Sequence, residues 1–246
     1  MENREFQGGF SMRSSPLSFG VDGCRAGWIA ATASDLSSTP RFVLFERFSD
    51  LAAAVSTTDS LALVDIPIGL TDGARACDGA ARKLLGARRA CSVFTPPSRS
   101  ALAGTTPAEM RRLNLGATGR SLSAQSLGIV RKIAEVDAMM TPPLQRQVRE
   151  AHPECAFAAL NPAGTGLAES KKSSEGRRQR LALLPPAFAR AAEATPFPAS
   201  KVAPDDYVDA LVVLVAALRH RAGEGRRLAA VEDQRDARGL VMEILY

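Results

Sequence analysis

Aromatic side chains make up only 5% of the 246 residues, with a single tryptophan and two tyrosines. A base-stacking platform is therefore not advertised, and any nucleic-acid contact would lean on phosphates. Long apolar runs are also missing. The longest, Ala210 to Leu218, falls far short of a membrane span, which excludes a helix crossing a bilayer. No secretion signal is visible, because Met1 to Pro16 is polar and rich in Gly and Ser without an apolar centre; residues 1–17 are expected to form a disordered leader. The four cysteines, Cys24, Cys77, Cys91 and Cys155, have no C-x-x-C spacing, which argues against a zinc knuckle or a redox pair and for free cytoplasmic thiols. There is no G-x-S-x-G, H-E-x-x-H or G-x-x-x-x-G-K-[ST], so the usual serine-hydrolase, metalloprotease and P-loop signals are absent. His152-Pro153-Glu154 matches the H-x-E of zinc deaminases but lacks the downstream P-C-x-x-C.

What is present is a hydrophobic content of 46%, enough for a large core, and a formal net charge of +5, which suits a polyanionic partner without requiring one. Phe19 to Asp22 is an apolar run ending in Asp-Gly, followed by Trp28–Thr32 and Arg41–Phe48, and this pattern predicts an antiparallel three-strand meander. Locally, Asp22-Gly23 reads first as turn chemistry. Ser49 is expected to cap a short helix over 50–55. Leu61 to Pro67 then reads as a central parallel strand, and it too ends in an acid, Asp65. A right-handed crossover would bring Asp65 beside Asp22 at the carboxyl edge of the sheet.

From about 71 to 146 the pattern turns helical, over Arg75–Arg89, Pro107–Leu115 and Ser123–Met140, and we read this as an insertion covering a face or forming a lid. Within it, Lys132, Glu135 and Asp137 read as a solvated helix face. Strand pattern resumes at 147–154, with His152 and Glu154 at or just past its end and Phe157–Leu160 as a short apolar turn. The run from Ser170 to Arg180 is the densest basic cluster and leads into a helix through Leu184. After Pro204, Asp205 is placed to cap a helix whose first turn carries Asp206 and Asp209 above an apolar stripe. The chain closes with a terminal hairpin over 239–245.

Clustered carboxylates repel unless something positive compensates them. The candidates Asp22, Asp65, Glu154, Asp206 and Asp209 are therefore expected to ligate Mg²⁺ or Mn²⁺, and a pair of such ions about 4 Å apart activates water against a phosphodiester. Arg25, in the turn beside Asp22, is a candidate for holding a phosphate.

The order of three meander strands with Asp22, a helix, a strand with Asp65 and a late helix opening Asp206-Tyr207-Val208-Asp209 resembles the RNase H-like fold, near the Holliday-junction resolvase branch. More specifically, Gly20-Val21-Asp22-Gly23-Cys24-Arg25, Asp65-Ile66-Pro67-Ile68-Gly69, Lys132-Ile133, His152-Pro153-Glu154, Ser170-Lys171-Lys172 and Met242-Glu243-Ile244 resemble domain-of-unknown-function family 429, described as predicted RNase H-like nucleases. Ala26 stands where a second Gly is expected in its opening motif, a mild departure that leaves the acids untouched. The resemblance runs from about Phe19 to Tyr246. It implies a single α/β domain over 18–246 with a mixed sheet flanked by helices. It also implies a metal-dependent nuclease with catalytic and metal-binding Asp22, Asp65, Glu154 and Asp206 or Asp209. Arg25, Lys132, Lys171 and Lys172 complete the expectation as contacts to a nucleic acid of unspecified type. The alternatives are a non-catalytic binding or regulatory protein on the same fold, and an actin-like or sugar-kinase-like phosphotransferase.

Overall fold

Alternation along the first strand decides the architecture. In the computed structural model, which describes residues 16–56, 59–230 and 232–246, β1 (Ser18–Cys24) sends Phe19 and Val21 to one face of the sheet. Gly20 and Asp22 therefore share the other face. Antiparallel pairing joins β1 to β2 (Gly27–Ala33) and β2 to β3 (Arg41–Phe45). Parallel pairing joins β1 to β4 (Leu61–Val64) and β4 to β5 (Val148–Glu150). The resulting five-stranded mixed sheet has the order β3-β2-β1-β4-β5.

One face packs Phe19, Val21, Trp28, Ala62 and Val64 against α1 (Phe48–Ser56) and α4 (Ala124–Met139). The other carries α5 (Pro153–Leu160), α6 (Ser174–Leu183), α7 (Pro186–Ala194) and α8 (Pro204–Arg221). α8 is buried along almost all of Tyr207–Leu218 and lies directly on β1. A Cβ at Gly20 would stand 2.0 Å from the Leu214 nitrogen and 2.2 Å from the Ala210 oxygen. Only a residue without a side chain lets the helix backbone come that close. α2 (Ala76–Leu85), α3 (Pro107–Thr118) and α4 fill the region from 71 to 146, with short 3₁₀ turns at Ala90–Ser92 and Arg99–Ala103 between them. Among the described residues no helix is long and apolar enough to cross a membrane.

Several local expectations need correction. The third strand stops at Phe45 rather than Phe48, and Phe48 already opens α1, so Ser49 is not its cap. Phe157–Leu160 is not a turn but the end of α5, which Pro153 starts and the His152 ring caps by accepting from the Glu154 N–H at 3.2 Å. Proline suits the first helical position because its missing N–H has no partner there anyway. The same logic moves the start of α8: Pro204 is the first helical residue, Ala203 is the cap, and Asp206, not Asp205, accepts the Ala203 N–H at 2.8 Å. The terminal segment turns back at Gly239, but Ile244–Leu245 (β7) pairs with Arg227–Leu228 (β6) rather than with its own near neighbour. Most of the expected leader, residues 1–15, lies outside the described residues, and Leu17 is already tied to the sheet, its carbonyl accepting from the Leu61 N–H.

Candidate functional site

Two parallel strands end in acids at the same level. Val21 pairs in register with Val64, and the Asp65 N–H donates to the Val21 carbonyl at 2.9 Å, so Asp65 leaves the sheet beside Asp22. The Gly20 contact sets the third carboxylate, because Asp209 immediately precedes the Ala210 that presses on Gly20. Asp22, Asp65 and Asp209 thus come from β1, the end of β4 and the first turns of α8 and influence one another electrostatically. Burial, then Asp65 and Asp209, holds the Asp22 carboxyl well above the usual range. Burial raises Asp65, partly offset by His152 and Lys171. Asp209 is pushed up to about 6 by burial, although Lys171 pulls the other way.

Cations already sit among these acids. The Lys171 ammonium lies 2.5 Å from Asp209 Oδ2 and 3.9 Å from Asp205. Arg180, buried to 1% exposure, grips Glu154 with two hydrogen bonds of 2.7 and 2.9 Å. Asp209 Oδ1 is buried without a hydrogen-bond partner. Glu154 is close enough to raise both Asp65 and Asp209, so it belongs to the cluster, but as a neutralised member.

Asp206 stands at the edge, committed to capping α8. Arg25 is exposed and bonds the Ala199 carbonyl at 3.3 Å, near enough to Asp206 to lower its carboxyl against the dominant effect of burial. Lys172 is exposed beside Lys171. Lys132 is elsewhere. Its stem lies over Gly23, its ammonium donates to the Gly27 carbonyl at 2.5 Å and stacks 4.6 Å from the Trp28 ring centre, so it staples the β1–β2 turn on the opposite face. Nor are its helix neighbours solvated: Glu135 accepts from Trp28 Nε1 at 3.1 Å and from the Phe48 N–H at 2.5 Å, and Asp137 pairs with Arg99 and Arg238.

A second polar constellation escaped the sequence reading. Glu150 on β5 is paired with Arg75 and accepts the Ile68 N–H at 2.7 Å, while Asp78 lies 3.6 Å from the same guanidinium. Burial drives Glu150 up to about 8 even though Arg75 opposes it. A glutamate inside a buried strand demands a cation. That was the available signal. Arg75, Asp78 and Glu150 line a cavity of about 20 Å³, room for one water, which also touches Asp65 and His152.

The donor set of Asp22, Asp65 and Asp209 consists of hard oxygens, and the unpartnered Asp209 Oδ1 offers a free one, so its chemistry fits Mg²⁺ or Mn²⁺. Among the described residues no three His, Cys, Asp or Glu side chains stand as a ready metal-holding group, and Lys171 occupies the other oxygen of Asp209.

Fold and site together define an α/β protein with a mixed five-stranded sheet and a buried carboxylate–cation cluster at the carboxyl edge of its two central strands. The chain belongs to the DUF429 family, described as a protein of unknown function, whose model matches residues 20–234. Neither the curated proteins nor the solved structures compared with it gave a match.

Proposed function

We propose that this protein is an RNase H-like, divalent-cation-dependent phosphodiester hydrolase acting on nucleic acid. The observation that carries the reading is that Asp22, Asp65 and Asp209, on three elements separated by up to 187 residues, lie near enough to influence one another at one edge of the sheet, where the helix contact at Gly20 fixes α8 against β1. The element order also supports it: a meander bearing the first acid, a helix, a parallel strand bearing the second, and a late helix bearing the third.

Charge bookkeeping narrows the metal expectation. Of the four clustered carboxylates, Arg180 neutralises Glu154 and Lys171 neutralises Asp209. Asp22 and Asp65 remain, a surplus matched by one divalent ion rather than two. Those two side chains, with Asp209 Oδ1, would have to draw together to hold it, and a bound ion would supply an acidified water and a counter-charge for the phosphoryl oxygens. Lys171 holds Asp209 and would meet a phosphate that enters the cluster. Exposed Arg25, Lys172 and Lys201 form a cationic rim on the neighbouring loops, where a backbone phosphate is attracted without reference to sequence.

The test is incubation of purified protein with Mg²⁺ or Mn²⁺ and single-stranded, duplex, hybrid and branched substrates. Cleavage lost in Asp22→Asn and Asp65→Asn is the expected result. Absence of cleavage on every substrate, together with no metal-induced thermal shift, would favour a non-catalytic binding role instead.

A further inference from the structure

A cavity of about 690 Å³ opens between α2, the loop 90–96 and the α3–α4 connection. Its size falls within the range of small-molecule sites, roughly 300–1,000 Å³. It is not isolated. It shares Arg75, Asp78, Val93, Phe94 and Pro96 with the one-water cavity that reaches Asp65 and His152, so it abuts the acid cluster from the insertion side.

The lining combines guanidinium groups, a half-buried ring that packs against the core and uncommitted polar groups. Arg75, buried to 5% exposure, is paired with Glu150 through Nη2 and faces Asp78 with Nη1 at 3.6 Å, which leaves its Nε without a partner. Arg82 is braced on the Val93 carbonyl at 3.0 Å and on Thr95 Oγ1 at 3.3 Å, so its guanidinium is pre-positioned. Arg120 at the rim is exposed, and its side chain has no hydrogen bond or ion pair among the described residues. Phe94 is half-buried, and the side chains of Ser121 and Gln125 are likewise uncommitted. Guanidinium groups recognise phosphate through forked hydrogen bonds, and a partly exposed ring offers a face to a base. Asp72, also on the rim, is an acceptor for ribose hydroxyls or base amino groups.

We propose that this cavity is a nucleotide-binding compartment, which receives a single unpaired nucleotide of the substrate next to the cluster of Asp22, Asp65 and Asp209. The proposal deepens the hydrolase reading and rests on it for the word substrate, but the binding chemistry stands on its own. A compartment of this volume takes about one nucleotide and not a paired helix, so the substrate class is a single strand, an unpaired end or a locally opened duplex.

The experiment is calorimetric titration of the full chain in EDTA with a purine 5′-monophosphate, inorganic phosphate, a single-stranded decanucleotide and a paired duplex. Wild type, Phe94→Ala and Arg120→Ala are compared, and Arg120→Ala tests a side chain with no hydrogen bond or ion pair among the described residues. The expected result is binding of mononucleotide and single strand, weak binding of duplex and inorganic phosphate, and at least a tenfold loss in Phe94→Ala and Arg120→Ala. Phosphate binding as tight as mononucleotide, no mononucleotide binding, or full binding in both cavity variants overturns the proposal. The two readings separate cleanly. Nucleotide binding with the expected variant pattern but no cleavage sinks the hydrolase and keeps the compartment; cleavage with wild-type KM in both cavity variants does the reverse.

Discussion

The ammonium of Lys171 lies 2.5 Å from Asp209 Oδ2, inside a cluster where Asp22 and Asp65 have no such partner among the described residues. The lysine is the resident counter-ion of one acid, and its removal has two opposite effects. Lys171→Met is expected to destabilise the metal-free protein near neutral pH by about 3 kcal/mol, the usual cost of stranding a buried charge. Added Mg²⁺ should then raise the Tm of the variant more than that of wild type. Equal metal-induced shifts in the two proteins would remove Lys171 from the cation balance.

Asp22 carries the opposite sign. A carboxyl raised on folding contributes stability that is complete below its unfolded value and is lost as pH climbs through its folded value. For Asp209 that window runs from 3.8 to about 6, a rise corresponding to roughly 3 kcal/mol, and Asp22 shifts in the same direction. The metal-free wild type should therefore lose Tm as pH rises through this window. Asp22→Asn keeps an acceptor for the Gly23 N–H, which Asp22 Oδ1 now takes at 2.7 Å, and removes the charge. Thermal melts in EDTA should show the variant gaining stability relative to wild type as pH rises, while cleavage is abolished.

Gly20→Ala tests the helix contact. The obstructing atoms are backbone nitrogen and carbonyl oxygen of α8, which cannot swing aside as a side chain would. A loss of about 3 kcal/mol or more is expected in urea unfolding, at the upper end of overpacking costs. A loss below about 1 kcal/mol would show that α8 can lift away from β1 without penalty.

Arg180 and Glu154 form the buried pair whose role is structural in the proposed scheme. Arg180→Met and Glu154→Gln should each cost about 3–5 kcal/mol, and the double variant should recover much of that, since two neutral groups leave no stranded charge. Chemical denaturation of the four proteins gives the coupling directly. Additive losses would show that the two side chains do not rely on each other.

The adjacency of Asp22 and Asp65 was legible because it follows from two short apolar runs, each ending in an acid, joined by a helix that returns the second strand beside the first. The choice between Asp206 and Asp209 was harder. It turned on whether Pro204 is the residue before the helix or the first within it, and its position within α8 assigns Asp206 to the cap. α5 was missed because eight residues buried on nearly every side show no amphipathic period. Arg180 was hidden for another reason: in a run of arginines and lysines, nothing local distinguishes the one that turns inward to a glutamate 26 residues earlier. Lys132 looked like a phosphate contact because its partners, Gly27 and Trp28, lie more than a hundred residues away in the chain.

The close seat of α8 on Gly20 also sets a timetable. β1 is made long before the helix that covers its inner face and supplies Asp209, which begins only at Pro204. Until the ribosome has passed that point, the strand carrying Asp22 lacks its cover and the acids lack their third member. Contacts of such sequence separation are slow to form and leave apolar surface open meanwhile. A nascent chain of this protein is thus unable to assemble the carboxylate cluster before α8 has been translated, and shielding of the exposed face of β1 until then falls to whatever chaperones attend it.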